Sequence, residues 1–168
     1  MIYDSFRQMK KMLTNVEKWL DAATTFAQKK SFDPNVFLTF RLAPDQFAFV
    51  RQVQSSCDTA KFAAARLTGK DPPKHPDDEQ TIDALKARIR STVSWLDGIT
   101  AKDFEGAEKR AITNPRWEGK VMSGADYFHE HAIPNFYFHV THTFAILRHN
   151  GVDIGKKDYL GTLSMKSP

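Results

Sequence analysis

The chain has 168 residues, 41% hydrophobic and 26% charged with 8 Gly and 8 Pro, enough for one self-sufficient core and unlike disordered, collagenous or repeat sequences. Its 24 Lys and Arg against 20 Asp and Glu leave a formal charge of +4, too small and too interspersed with acids to predict a nucleic-acid surface. The single cysteine, Cys57, can close no internal disulfide and complete no multi-cysteine zinc site.

In chain order, Ile2, Phe6, Met9, Leu13, Val16, Leu20, Ala23 and Ala27 alternate steps of four and three, which predicts a long first helix with one buried seam. Beside that seam Met12, Trp19 and Phe26 recur every seven residues, a second strip expected to meet two neighbours or a second subunit. Asp33 before Pro34 is a helix-start signal, predicting a short helix or turn through Phe40. A second long helix is expected from Pro44 to Leu67, with Gly69 as its left-handed terminator. Pro72, Pro73 and Pro76 impose a loop. After it, Asp77 or Asp78 is expected to cap a third helix with seam Ile82, Leu85, Ile89, Val93 and Leu96, ending at Gly98. The pattern weakens from Thr100 to Gly124, and Thr113–Lys120 reads as a turn at the tip of a small hairpin. Ser123–Asp126 has capping-box spacing and opens a fourth helix that carries Pro134, a kink position, and stops at Asn150-Gly151. The aperiodic tail is expected to lie along the surface. Four long helices without a strand pattern predict an all-α, four-helix-bundle domain spanning residues 1–168, with a long irregular connection before the last helix.

Bundles build sites from polar side chains on otherwise apolar stripes. On the second helix the stripe Phe47, Val50, Gln54, Cys57, Lys61 and Ala64 puts Gln54 and Lys61 among core-facing residues, with Asp58 one step away and in reach of Lys61. On the last helix Phe136, Val140, Thr143 and Leu147 share one face, and His131, Asn135, Phe138, His142 and His149 form a flank. His139 falls between face and flank, four residues from Asn135 and three from His142, spacings that let side chains converge. Each position also has a plainer reading. His139 can be a core-edge histidine bonded to a neighbour, Gln54 and Lys61 can snorkel past the rim, and Cys57 can be an inert buried thiol.

The runs Arg41–Phe47, Gln52-Val53-Gln54 with Cys57–Lys61, Pro134–Thr141, Ile146–Val152 and Lys157–Gly161, in this order, resemble an uncharacterised branch of the DinB-like superfamily over nearly the whole chain. The resemblance implies a bundle of DinB/YfiT type. It also implies a comparison with members that hold a divalent metal on three histidines, one from the second helix and two from the last. By that comparison His139 matches one ligand, whereas Asn135 and a position near Gln54 carry amides where histidines stand in those members.

Three functions follow as expectations. The first is a small-molecule pocket between the second and fourth helices, lined by Gln54, Cys57, Asp58, Lys61, Asn135 and His139, whose donors suit an anionic or carbonyl-bearing ligand. The second is a divalent-metal enzyme of thiol-transferase type, with zinc or nickel on His139 and Asp58. The third is a non-catalytic homodimer joined through a strip such as Met12, Trp19 and Phe26, with Trp117 as a further lid or contact residue. No apolar run approaches the roughly 20 residues of a membrane helix. The opening Met1–Arg7 is not patterned as a secretory leader, so no membrane or nucleic-acid partner and a cytoplasmic location are expected.

Overall fold

The computed structural model describes residues 2–166. Helix α1 (Ile2–Lys29) is followed by a 3-10 turn at Pro34–Thr39, then α2 (Phe49–Thr68) and α3 (Ile82–Asp97). A two-stranded antiparallel hairpin, β1 (Ala111–Thr113) and β2 (Val121–Ser123), pairs Ile112 with Met122. The last long helix, α4, runs over 124–149 in three stretches: Gly124–Asp126, a π-helical Tyr127–Ala132, and α-helical Ile133–His149. A short α5 (Lys156–Leu160) closes the chain. This is the all-α bundle expected, with the hairpin as its only irregularity of strand type among the described residues. No described helix is long and apolar enough to cross a membrane.

The seams predicted from periodicity are the core. Phe6, Met9, Leu13, Val16, Leu20, Ala23 and Ala27 of α1 are all buried, as are Ile82, Leu85, Ile89 and Leu96 of α3. Asp33 caps its 3-10 turn through the Asn35 amide, and Gly69 ends α2 at φ +77°, donating to the Ala65 carbonyl. Ser123 accepts from the Asp126 amide at 3.1 Å and so opens α4.

Several boundaries differ from the sequence expectation. Helix α2 begins at Phe49 and not at Pro44, because residues 43–46 close a turn through Gln46 N–H to the Ala43 carbonyl. The cap of α3 is Thr81, whose hydroxyl accepts from the Ala84 amide at 3.0 Å; Asp77 is instead drawn into ion pairs described below. In α4, Pro134 has no N–H for the Glu130 carbonyl. The chain accommodates it with a wider turn in which Ile133 N–H reaches the Phe128 carbonyl, a π-helical segment.

The tail does not merely lie on the surface. Val152 and Ile154 are buried, and α5 sits on α1: Trp19 Nε1 donates to the Asp158 carbonyl and Asn15 to the Tyr159 carbonyl, both at 3.1 Å. The Tyr159 ring stacks on Trp19 at 5.5 Å. Met12 and Trp19 of the seven-residue strip are thereby buried within the chain, and Phe26 packs on Phe32.

Gly124 anchors the start of α4. A Cβ there would stand 1.8 Å from the Ala107 carbonyl oxygen and 3.0 Å from Leu67 Cδ2, so α4 can leave the hairpin at this angle only from a glycine. Gly124→Ala is expected to lower the free energy of urea unfolding by about 2 kcal/mol, the range of overpacked sites. A change within about 0.5 kcal/mol, the scatter of neutral surface substitutions, refutes the tight seat.

Candidate functional site

Helix α2 packs most extensively on α4 and presents polar side chains on two sides. One side faces α3 and the proline-rich strap of residues 69–81. There Arg88 of α3 is buried, with its Nη2 2.7 Å from Asp58 Oδ1 and its Nη1 2.6 Å from Asp77 Oδ1 and 3.0 Å from Glu79 Oε1. Lys61, also buried, lies 3.0 Å from the same Asp58 oxygen. Its ammonium donates to His75 Nδ1 at 3.1 Å, which leaves His75 Nε2–H for Ser91 Oγ, also at 3.1 Å. Gln54 Nε2 donates to Glu79 Oε2 at 2.7 Å, while Arg51 bridges Gln54 and Asp77.

The electrostatics follow from burial beside cations. Burial disfavours the Arg88 charge, but its three carboxylates more than offset that and push its pKa up. Burial likewise opposes ionisation of Glu79, yet the hydrogen bonds from Arg88 and Gln54 hold its carboxyl below the usual range. His75 is depressed by burial and then by Lys61 and Arg88, so it stays neutral. Cys57 lies fully buried beside this cluster, and desolvation pushes its thiol up to about 12, so it is not a nucleophile at neutral pH. Between α2 and the strap lies an open hollow of about 790 Å³, onto which Lys61, His75 and Asp77 face.

The other side of α2 forms a groove of about 530 Å³ with α4, closed at one end by the tip of the hairpin. The flank recognised on the last helix is its wall: His131, Asn135 and Phe138 line it, together with His139. Facing them from α2 and its approach are Phe47, Ser55, Thr59 and Phe62. Phe47, Phe62 and Phe138 are exposed at the rim, so an apolar mouth surrounds a polar floor.

Two hydrogen-bond chains fix the polarity of that floor. Gln52 Nε2 donates to the Phe47 carbonyl at 3.1 Å, which turns its Oε1 toward His139 Nδ1, 2.8 Å away. The imidazole must donate from Nδ1 and keeps Nε2 as an acceptor, with no partner among the described residues. In parallel, Thr59 donates to the Ser55 carbonyl and accepts from Asn135 Nδ2, each at 2.7 Å, which leaves Asn135 Oδ1 as a second acceptor. Burial, then His142 and Arg51, depress His139 to about 4, so it is neutral at pH 7. The Phe47 ring lies parallel to it, 6.3 Å between centroids.

The six residues picked out from the sequence are therefore divided. Asn135 and His139 meet in the groove, and Asp58 reaches its edge. Gln54 and Lys61 turn to the Arg88 side, and Cys57 is in the core. The α2 amide that meets His139 is Gln52, not Gln54. The metal pair His139 and Asp58 is also separated in purpose: Asp58 is committed to Arg88 and Lys61, and His139 to Gln52. Among the described residues no three His, Cys, Asp or Glu side chains gather as a metal-holding group. Sequence reasoning missed Arg88, Glu79 and Gln52. Arg88 adjoins the seam residue Ile89, and its burial leaves no periodic signature because an arginine there reads as the edge of a solvated face. Trp117, from the 3-10 turn Pro115–Trp117, packs edge-on to Tyr127 at 6.0 Å and to His131 at 5.7 Å and lines the groove.

The comparisons agree with this architecture. The profile of DUF1993, a domain of unknown function, matches residues 2–160. A crystal structure of a DinB family member protein from Shewanella denitrificans is 49% identical, with a TM-score of 0.96 over 100% of this chain and 96% of that one. No curated protein matches.

Two outcomes are expected. Arg88→Leu leaves Asp58, Asp77 and Glu79 without their shared cation and costs about 3 kcal/mol at pH 7. The cost should shrink toward pH 4 as the carboxylates take up protons, and equal costs at both pH values refute the ion-pair account. His139, depressed in the folded state, contributes stability that is complete above pH 6.5 and is lost as pH falls toward about 4. His139→Gln should therefore flatten the thermal-stability profile over that interval by up to about 3 kcal/mol, from ~1.4 kcal/mol per unit; an unchanged slope rejects the buried neutral imidazole.

Proposed function

The chain belongs to the DUF1993 family, a DinB-like domain of unknown function, and we propose that it binds a small organic molecule in the groove between α2 and α4. The observation that carries the reading is the pair of oriented acceptors, His139 Nε2 and Asn135 Oδ1, each locked by its own hydrogen-bond chain. A surface side chain has no reason to be held in one orientation from behind. Here two are held so, on the floor of a groove whose volume suits a small ligand. The acceptors call for hydroxyl or N–H donors on the ligand, and Phe47 and Phe138 at the rim call for an apolar, planar body.

The polarity changes the ligand expected from the sequence. Gln54 and Lys61, which would have offered donors to a carbonyl, spend theirs on Glu79, Asp58 and His75. Binding is favoured over catalysis by proton transfer, because an imidazole depressed to about 4 is a poor general base at neutral pH. A divalent metal is not part of the reading. One imidazole with the neutral amides of Gln52 and Asn135 makes a donor set poorly matched to zinc or nickel.

The test is a thermal-shift screen of small planar compounds carrying hydroxyl or amine donors, followed by titration of the hits. Asn135→Leu should weaken a hit about tenfold, ~1.4 kcal/mol, by leaving the ligand's donor unpaired. Lys61→Met, on the other side of α2, should leave its affinity within about twofold. Equal effects of the two substitutions, or none from Asn135→Leu, reject the groove.

A further inference from the structure

The hairpin end of the groove carries charge that the acceptor floor does not use. Arg66 and Arg116 both line it. Arg66 Nη1 donates to the Tyr127 hydroxyl at 3.1 Å, and its guanidinium lies over the rings of Phe62 and Tyr127, 5.6 and 5.8 Å from their centroids. Neither arginine has an acidic partner among the described residues. Among the described residues Asp58 is the only carboxylate lining the groove, and its Oδ1 is already held by Arg88 and Lys61. Arg51, at the opposite end, is neutralised by Asp77. Close by, His131 stacks on Tyr127 at 5.5 Å and has a buried Nδ1 with no hydrogen-bond partner.

Arg66, braced by a hydroxyl and two aromatic faces, and the exposed Arg116 of the hairpin tip give this end of the groove two guanidinium groups without acidic partners among the described residues, a charge suited to an anion. Trp117 beside them supplies a ring face. We propose that this end of the groove is an anion subsite, in which Arg66 and Arg116 receive the carboxylate or phosphate of an aromatic ligand whose ring lies along Trp117 and Phe62. The proposal rests on the groove reading and sharpens it, because the same ligand donates from its far side to Asn135 Oδ1. Asn135 lines the same groove, four residues along α4 from His131, which lies beside the charged end. The ligand class is thus an aromatic anion with a hydroxyl or amine opposite its charged group.

Calorimetric titration of the full chain with 4-hydroxybenzoate, 4-hydroxybenzamide and 4-hydroxyphenyl phosphate tests this. An anionic probe is expected to bind about tenfold tighter than the isosteric amide. The double variant R66Q/R116Q should remove that preference and leave amide affinity within about twofold, whereas R66K/R116K should retain part of it. Circular dichroism confirms that each variant is folded. Tighter binding of 4-hydroxybenzoate or of 4-hydroxyphenyl phosphate than of the amide supports the subsite and tells which anion it takes. Equal affinity for acid and amide, or a preference that survives in R66Q/R116Q, overturns the subsite while the groove reading stands, provided that both probes still weaken in Asn135→Leu. If no probe binds at millimolar concentration, the groove reading falls and the subsite with it.

Discussion

The Arg88 guanidinium is the constraint on which the arrangement of this protein turns. It is buried between α2, α3 and the proline-rich strap, and an isolated buried charge is costly enough that it must collect partners. It collects three carboxylates, Asp58, Asp77 and Glu79, which come from two separate stretches of chain. The strap, with three prolines and no helix or strand of its own, is thereby tied to the bundle through side chains instead of backbone ladders. Such a network sets a geometry more surely than it adds stability, since a well-packed apolar replacement of the whole cluster is often at least as stable.

The same interaction decides the electrostatics on the far side of α2. By pairing with Asp58 and drawing Lys61 and Gln54 toward α3, it leaves the acid at the edge of the α4 groove already committed to cations and takes from the groove the donors that would make it a carbonyl site. What remains there is polar but one-sided: oriented acceptors on the floor, guanidinium charge with no acidic partner among the described residues at the hairpin end, and phenylalanines at the mouth. A helix with two polar sides thus keeps the buried ion cluster and the α4 groove apart, although their residues alternate along the sequence.

How much of this was legible follows from which signals are periodic. The seam of α1, the seam of α3, the Asp33 and Ser123 caps and the Gly69 terminator were readable because each depends on residues within a turn of one another. The Thr81 cap was obscured by Asp77 and Asp78, which look like better caps until Arg88, in the next helix, claims Asp77. The wall of the groove was readable as a flank, His131, Asn135 and Phe138, but its floor was not. Gln52 was passed over for Gln54, which sits on the apolar stripe. The choice between them rests on Phe47 and His139, partners 5 and 87 positions away. Likewise, the strip with Met12 and Trp19 read as meeting either neighbours or a second subunit, because Tyr159, which stacks on Trp19, lies 140 positions further along the chain.

The π-helical stretch connects local chemistry to the groove. Pro134 deprives the Glu130 carbonyl of its usual donor, and the wider turn at Tyr127–Ala132 absorbs the defect. That turn brings Tyr127 and His131, four residues apart, into a stacked pair with interplanar angle 20°, against which Trp117 of the hairpin closes. Tyr127 in turn holds Arg66 by its hydroxyl. A single imino acid in the last helix therefore reaches, through one altered turn and one aromatic pair, the orientation of a guanidinium on α2.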